Sequence, residues 1–495
     1  MALSFTRRIV KTRRISLLFV FLLAVIVILP TCAINPVTGR RQLMFMSESQ
    51  EIRLGSEYDP QVIASFGLYE NEPLMELIEE KGREMGKVSH RPELEYHFRI
   101  LDTPVINAFA VPGGYIYFTR GILAQFNNEA EMMGVLGHEL GHITARHSAS
   151  RYTKQQLGQL LLIGGIIVSE EFRKYGQYAM VGMQLLFLSF SREDEREADR
   201  LGVEYSSKLG YDARKKADFF EVLKKMRLDS EQGGIPTFLS THPDPGDRYN
   251  SVIREAEKWQ DSLDFSSWEV NREGYLQMLD GMVYGEDPRQ GYVEDNVFYH
   301  PNFEFRFAYP SGWELENSAL QVTMAPGERD ALMIFAIARE ETLSKAVDNT
   351  MSNLEVDVTQ KRETTVNGMP AIAVQATQTL EQSGGETQTL RILSYFIDYD
   401  DTYYGFVGVS DERDYNKYSS LFESSMISFD KLTDESKINV EPTRISIKEV
   451  QKEATLADAF RSFDVPEEKM EEFAFLNNME LKERVEPGTL LKIGE

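Results

Sequence analysis

The sequence predicts an α+β protein: a mostly helical domain with a small β-meander edge, then a separate α+β domain, then a small C-terminal module. Three observations predict it. The chain has 495 residues, too many for one ordinary core. Residues 47–262 are dominated by helical periodicity, with two strand-like runs among them. "FEFRFAYP" then alternates cleanly, with Phe303, Phe305, Phe307 and Tyr309 on one face and Glu304 and Arg306 on the other.

Net charge is −25, and residues 1–31 hold five basic residues and no acidic one, so the remainder is more acidic still. That balance argues against nucleic acid as a partner, because phosphates need lysine and arginine to neutralise them. Residues 1–31 read as a leader. Arg7, Arg8, Lys11, Arg13 and Arg14 precede "ISLLFVFLLAVIVIL", Ile15 to Leu29, which has the length of a signal h-region and is short for a spanning helix. "LPTC" follows and ends at Cys32, the only cysteine. It resembles a lipobox, with Thr31 where a smaller residue is usual. That implies a lipoprotein acylated at Cys32; an uncleaved anchor is the alternative. Either way the body is exported and tethered to a membrane.

The elements follow in order. Ser47 and Gln50 form a capping box for a helix running to about residue 66. Asn71 and Pro73 open a second, with Leu74, Leu77, Ile78 and Met85 at helical spacing. "LEYHFRILD" and "INAFAVPGGYIYFTR" read as strands, the second turning at Pro112-Gly113-Gly114. Asn127 and Asn128 cap the next helix. Apolar stretches from Leu157 to Val168 and from Tyr178 to Phe190 are too short to span a bilayer; they predict buried helices, or a hairpin that touches membrane or lids a cleft. An acidic helix, "SREDEREADRLG", comes next, then the breaker-rich loop "FLSTHPDPGDRY" and a Trp-bearing helix that closes the first domain at residue 262. Residues 263–298 read as a connector. Residues 299–432 form the α+β domain, with strands at Ala331–Arg339, Ala371–Leu380, Leu390–Tyr399 and Tyr403–Val409. Hairpin turns fall at Asn367-Gly368 and Gly384-Gly385, and helices near 342–356 and 415–429. It holds no catalytic cluster, and His300 reads as a surface residue. Residues 440–495 resemble a LysM-type module through Thr455-Leu456, Leu476-Asn477 and Pro487-Gly488 before "LLKI". Glu453-Ala454 stands where such modules usually have Gly-Asp. The resemblance implies cell-wall glycan as a partner; a structural appendage is the alternative.

The chemistry concentrates in "GHELGHITARH", Gly137 to His147. Each helical residue turns by about 100°, so His138 and His142 share a face and both imidazoles can bind one metal. Glu139 sits beside them, angled toward a water rather than the metal. His147 lies nine residues after His138, on the far side of a continuous helix, and would approach the metal only if the helix broke at Thr144. The pattern with glycine and histidine seven and ten residues on is not met, since Ala145 and Ser148 stand there. His147 is therefore set aside as third ligand. A hydrolytic zinc site with two histidines takes a carboxylate from another helix. "EREAD" offers Glu195 with Asp199 at four-residue spacing, and Glu193 with Glu197 has the same spacing, so geometry does not choose.

Residues 33–262 resemble the zincin catalytic domain of the gluzincin family that includes CAAX prenyl proteases, HtpX and periplasmic assembly proteases. The matching pieces are "NPVTGRRQLMFMSESQE", "NAFAVPGGYIYFTRGIL", "GHELGHITARH", "EREADRLG" and "THPDPGDR". The resemblance implies one zinc ion per chain, with His138, His142 and Glu195 as ligands, Asp199 hydrogen-bonding a ligand histidine and Glu139 as general base. It implies that Asn107, Ala108, Phe109 and Ala110 form the edge strand that pairs with an extended peptide. It places the loop bearing His242 at the cleft, with two roles open: oxyanion donor, or neutral ligand in the remaining zinc position. Arg248 is a second candidate for charge stabilisation. The expected function is a zinc endopeptidase of the bacterial cell envelope, facing the periplasm and cutting unfolded or extended polypeptides in protein quality control. The competing class is an anchored chaperone, adaptor or glycan-binding protein with an idle zinc site; an intact Glu139 argues against it.

Overall fold

The computed structural model describes residues 32–154, 190–229, 238, 241–242, 247–381 and 387–495. The leader, both apolar stretches apart from Phe190, and Gly384-Gly385 lie outside the described residues. Among the described residues no helix is long and apolar enough to cross a membrane. The architecture is mixed α+β with several sheets. It divides into two compact units. The first comprises the described residues of Met1–Val62, Leu68–Met282 and Arg444–Glu495; the second, Ile63–Gly67 and Val283–Thr443.

In the first unit β1 (Cys32–Ile34) pairs with β2 (Arg41–Leu43). The capping box opens α1 (Glu48–Phe66): Ser47 N–H donates to Gln50 Oε1 at 2.8 Å and Gln50 N–H to Ser47 Oγ at 3.3 Å. Asn71 accepts from Leu74 N–H at the start of α2 (Glu72–Val88), whose Leu74, Leu77, Ile78 and Met85 are buried. Three strands follow, β3 (His97–Leu101), β4 (Ala108–Val111) and β5 (Tyr115–Thr119), in the order β3-β5-β4. The expected meander is corrected here. Only β4 and β5 form a hairpin; β3 adds to the far side of β5 and runs parallel to it. The turn needs both its glycines. Their φ values are +93° and +103°, and a Cβ at Gly113 would come within 2.6 Å of the Glu51 carbonyl, one at Gly114 within 2.2 Å of that of Glu95. Beyond β5 come α3 (Arg120–Gln125) and α4 (Glu129–Thr144). Every residue of α4 is buried, including the polar Glu129, Glu131, His138, Glu139 and His142. It packs between the sheet and α5 (Arg192–Lys208), α6 (Lys215–Asp229) and α8 (Arg272–Leu279); α7 (Arg248–Ser262) lies on α5 and α6.

Two domain boundaries fall elsewhere than the sequence led us to expect. Part of the supposed connector, α8, belongs to the first unit: its Tyr275 is buried and donates to the Leu123 carbonyl at 2.8 Å. The C-terminal segment also belongs there rather than standing apart. Ile445–Glu449 pairs with Leu490–Gly494, and Ala454–Thr455 with Arg484–Val485, around helices Leu456–Ser462 and Glu467–Leu476. The reason is Lys492. Fully buried, it donates to the carbonyls of Ala124 at 2.7 Å and Phe126 at 3.0 Å, the last turn of α3, while Arg272 bridges the Asn127 and Leu490 carbonyls.

The second unit holds a seven-stranded antiparallel sheet in the order 357–366, 369–381, 387–399, 402–411, 331–338, 321–326, 313–317. Helices Leu343–Asn353 and Tyr415–Ile427 pack on it. Asn367 and Gly368 both have positive φ, as a two-residue hairpin turn requires. Phe303 leaves the expected strand face: it lies in a 3-10 turn, Pro301–Phe303, and is exposed. His300 caps that turn, half-buried against Phe303 and Phe305.

Candidate metal centre

The site is built where α4 crosses α5. Asn128 opens α4 by accepting from Glu131 N–H, and a capping box of Ser191 and Asp194 opens α5. Glycine 137 meets Gly202 and Gly141 meets Ala198, so the backbones approach closely. His138 and His142 then project from α4 toward Glu195 of α5.

Four donors converge: His138, His142, Glu195 and His242, all buried, with ligand atoms within 4.8 Å of one another. His142 Nε2 lies 3.1 Å from His138 Nε2, and Glu195 lies 3.5 Å from each. His242 Nδ1 is 3.0 Å from Glu195 Oε1 and 3.3 Å from His138 Nε2. Its backbone N–H donates to the Phe238 carbonyl, and its ring stacks on Phe238 at 4.6 Å. Phe190 stacks on His142 at 3.8 Å and anchors its backbone to Thr241. These aromatic walls cover the donors, all four of which are buried.

Asp199 sits behind His138, its Oδ1 2.9 Å from Nδ1. That contact turns the Nε2 lone pair toward the cluster. Lys216 of α6 and Arg248 of α7 both donate to Asp199, at 2.8 Å and, through two nitrogens, at 2.8 and 2.7 Å; Arg248 also reaches Glu195 at 3.3 Å. Burial would raise the Asp199 carboxyl, but these two cations hold it well below the usual range. Burial likewise opposes ionised Glu195, and neighbouring His242 outweighs it. Burial, reinforced by Lys216, brings His138 down to about 3, so its imidazole stays neutral.

Glu139 is completely buried, 3.6 Å from His242 Nε2, and burial pushes its carboxyl up to about 7. Neither of its oxygens has a hydrogen-bond partner among the described residues, nor has Glu195 Oε2. Two imidazole lone pairs facing each other and two carboxylates without enough donors suit a bound cation. The donor set, two histidines and a glutamate with a further histidine, fits zinc.

The structure thus places the sequence candidates plainly. His138, His142, Glu195, His242, Glu139, Asp199 and Arg248 come together. Glu193 points to solvent and Glu197 toward His147, so the face carrying Glu195 and Asp199 meets the histidines. Ala108, Phe109 and Ala110 form the edge strand β4, with Asn107 preceding it. Cys32 begins β1, away from this cluster in the chain. Sequence reasoning missed Lys216, Phe190 and Phe238; His147, set aside as third ligand, stays outside the donor group and contacts His142. A lysine at a helix start reads as solvated, so nothing marked Lys216 in advance.

A buried two-histidine, one-glutamate centre with an adjacent unpaired glutamate, set on two crossing helices, defines a gluzincin-type metallopeptidase domain. The pattern of Peptidase family M48 matches residues 74–256, the segment that carries His138, His142, Glu195 and His242. The chain is similar to the beta-barrel assembly-enhancing proteases of Yersinia pestis, 28% identical over 238 residues covering 46% of this chain and 48% of that one, and of Escherichia coli K12, 28% identical over 212 residues covering 41% and 43%. The mitochondrial metalloendopeptidase OMA1 of Arabidopsis thaliana is 31% identical over 175 residues, 35% of this chain and 34% of that one. The matches span less than half of each relative.

Proposed function

We propose that this protein is a zinc-dependent endopeptidase of the bacterial cell envelope that cuts extended or unfolded polypeptides. The observation that carries this is Glu139: a carboxylate with no hydrogen-bond partner among the described residues, buried beside four metal donors. A structural metal site has no use for it. When bound, zinc would supply a Lewis acid that polarises a carbonyl and acidifies water. His138, His142 and Glu195 would hold it. Glu139, poised near neutrality, takes a proton from the attacking water and returns it to the leaving amine. The outer edge of β4 offers backbone groups to an extended chain, which favours unfolded substrates over folded domains. Export and tethering through Cys32 belong to the same reading and rest on the leader sequence.

His242 Nδ1 stands among the ligand atoms, which supports its role as a fourth ligand that occupies the open position and keeps the enzyme quiet until it is displaced. The test is digestion of unfolded casein by the purified chain, with and without chelator, beside Glu139→Gln. Chelator-sensitive cleavage that disappears in the variant is expected. Cleavage that survives both would overturn the reading.

A further inference from the structure

We propose that His147 and Glu197 are a positioning pair for the ligand His142, doing at one remove what Asp199 does directly for His138. This rests on the metal-site reading above. The local backbone is arranged for it. α4 stops at Thr144, Ala145 is still helical, and Arg146 turns into the left-handed region with φ +59°. A non-glycine residue is uncommon in that region and needs support from its surroundings. Arg146 is held in place: its Nε donates to buried Glu51 at 2.9 Å and its Nη2 to the Met46 carbonyl at 2.8 Å. The turn folds the chain back, so His147 lands beside His142 instead of on the far side of a continuing helix. His147 Nδ1 lies 2.9 Å from His142 Nδ1, and its Nε2 lies 3.2 Å from Glu197 Oε2. Asp194 is further from Nε2, at 3.7 Å.

The proton count fixes the roles. A ligand nitrogen needs its lone pair, so His142 must carry its proton on Nδ1 and donate it. His147 Nδ1 can accept only if the His147 proton sits on Nε2, where Glu197 takes the hydrogen bond. Each nitrogen is then used once. The opposite tautomers would aim an N–H of His142 into the metal pocket. Phe190 covers one face of His142, and His147 is itself buried, so water does not replace this partner.

The test is zinc affinity of the full chain, by competition with a fluorescent chelator, with the melting temperature of each metal-free variant alongside. His147→Ala is expected to bind zinc about 10–100-fold more weakly. His147→Asn, whose Oδ1 takes the place of the accepting Nδ1, should recover most of that loss. Glu197→Ala should also weaken zinc, while exposed Glu193→Ala should not. His147→Ala binding as tightly as the parent would overturn the proposal, and so would Asn failing to rescue in a variant whose metal-free form melts normally. If both His147 variants unfold, Glu197→Ala decides: unchanged affinity sinks the pair. A parent chain that binds no zinc would instead refute the metal site itself.

Discussion

Gly202 of α5 lies against Gly137 of α4 with no room for a side chain between them. A Cβ on Gly137 would come within 2.9 Å of the Gly202 Cα and carbonyl oxygen, and one on Gly202 within 2.9 Å of His138 N. Backbone cannot yield as a flexible side chain does. The distance from Glu195 to the two histidines is therefore set by two absent methyl groups. Gly202→Ala should separate the helices, destabilise the fold by about 1–3 kcal/mol and weaken zinc binding. Urea unfolding of the metal-free protein and zinc titration check this. Unchanged values in both would mean the crossing has slack.

Glu139→Gln should abolish proteolysis while one zinc per chain is retained. Glu195→Ala should lose or weaken the metal, and Glu193→Ala should leave it alone. Elemental analysis beside casein turnover separates the two roles. Zinc loss in Glu139→Gln would assign that residue to the ligand set instead.

Asp199 is the shared counter-ion of Lys216 and Arg248, all three buried. Asp199→Ala strands two cations in the interior, so destabilisation of about 3–5 kcal/mol is expected. Lys216→Met should cost less, because Arg248 still holds both Asp199 oxygens. A denaturant midpoint for Asp199→Ala at or above that of Lys216→Met would refute this ordering.

How much could be read in advance depended on whether a signal was local. Helix starts were legible because Ser47, Asn71 and Asn128 cap within one turn. The HExxH face was legible because helical geometry alone puts His138 beside His142. In the second unit, 369–381, 387–399 and 402–411 show apolar alternation, whereas 357–366 is nearly all exposed polar residues at a sheet edge and gave no pattern. His147, set aside as third ligand, is not among the four converging donors, but its contact with His142 was not legible: a continuous helix would carry it away, and only the left-handed Arg146 brings it back. Lys216 and Lys492 were invisible because their partners are distant in sequence.

On the proposed role of His242 as a fourth ligand, His242→Ala should raise basal turnover. Initial rates on casein at saturating zinc check it. A fall in rate with metal content intact would favour the oxyanion role.

The anchor at Lys492 has a consequence in time. The Ala124 carbonyl that it caps is made 368 residues earlier. At about 5–20 residues per second, the ribosome needs roughly 20–70 s to cover that distance. Through that interval the C-terminal end of α3 lacks its buried donor. A nascent chain, or one cut short by a premature stop codon, carries His138, His142, Glu195 and His242 and still lacks the strand whose Lys492 caps α3, the short helix that precedes α4. Completion of the first unit is thereby tied to translation through residue 492.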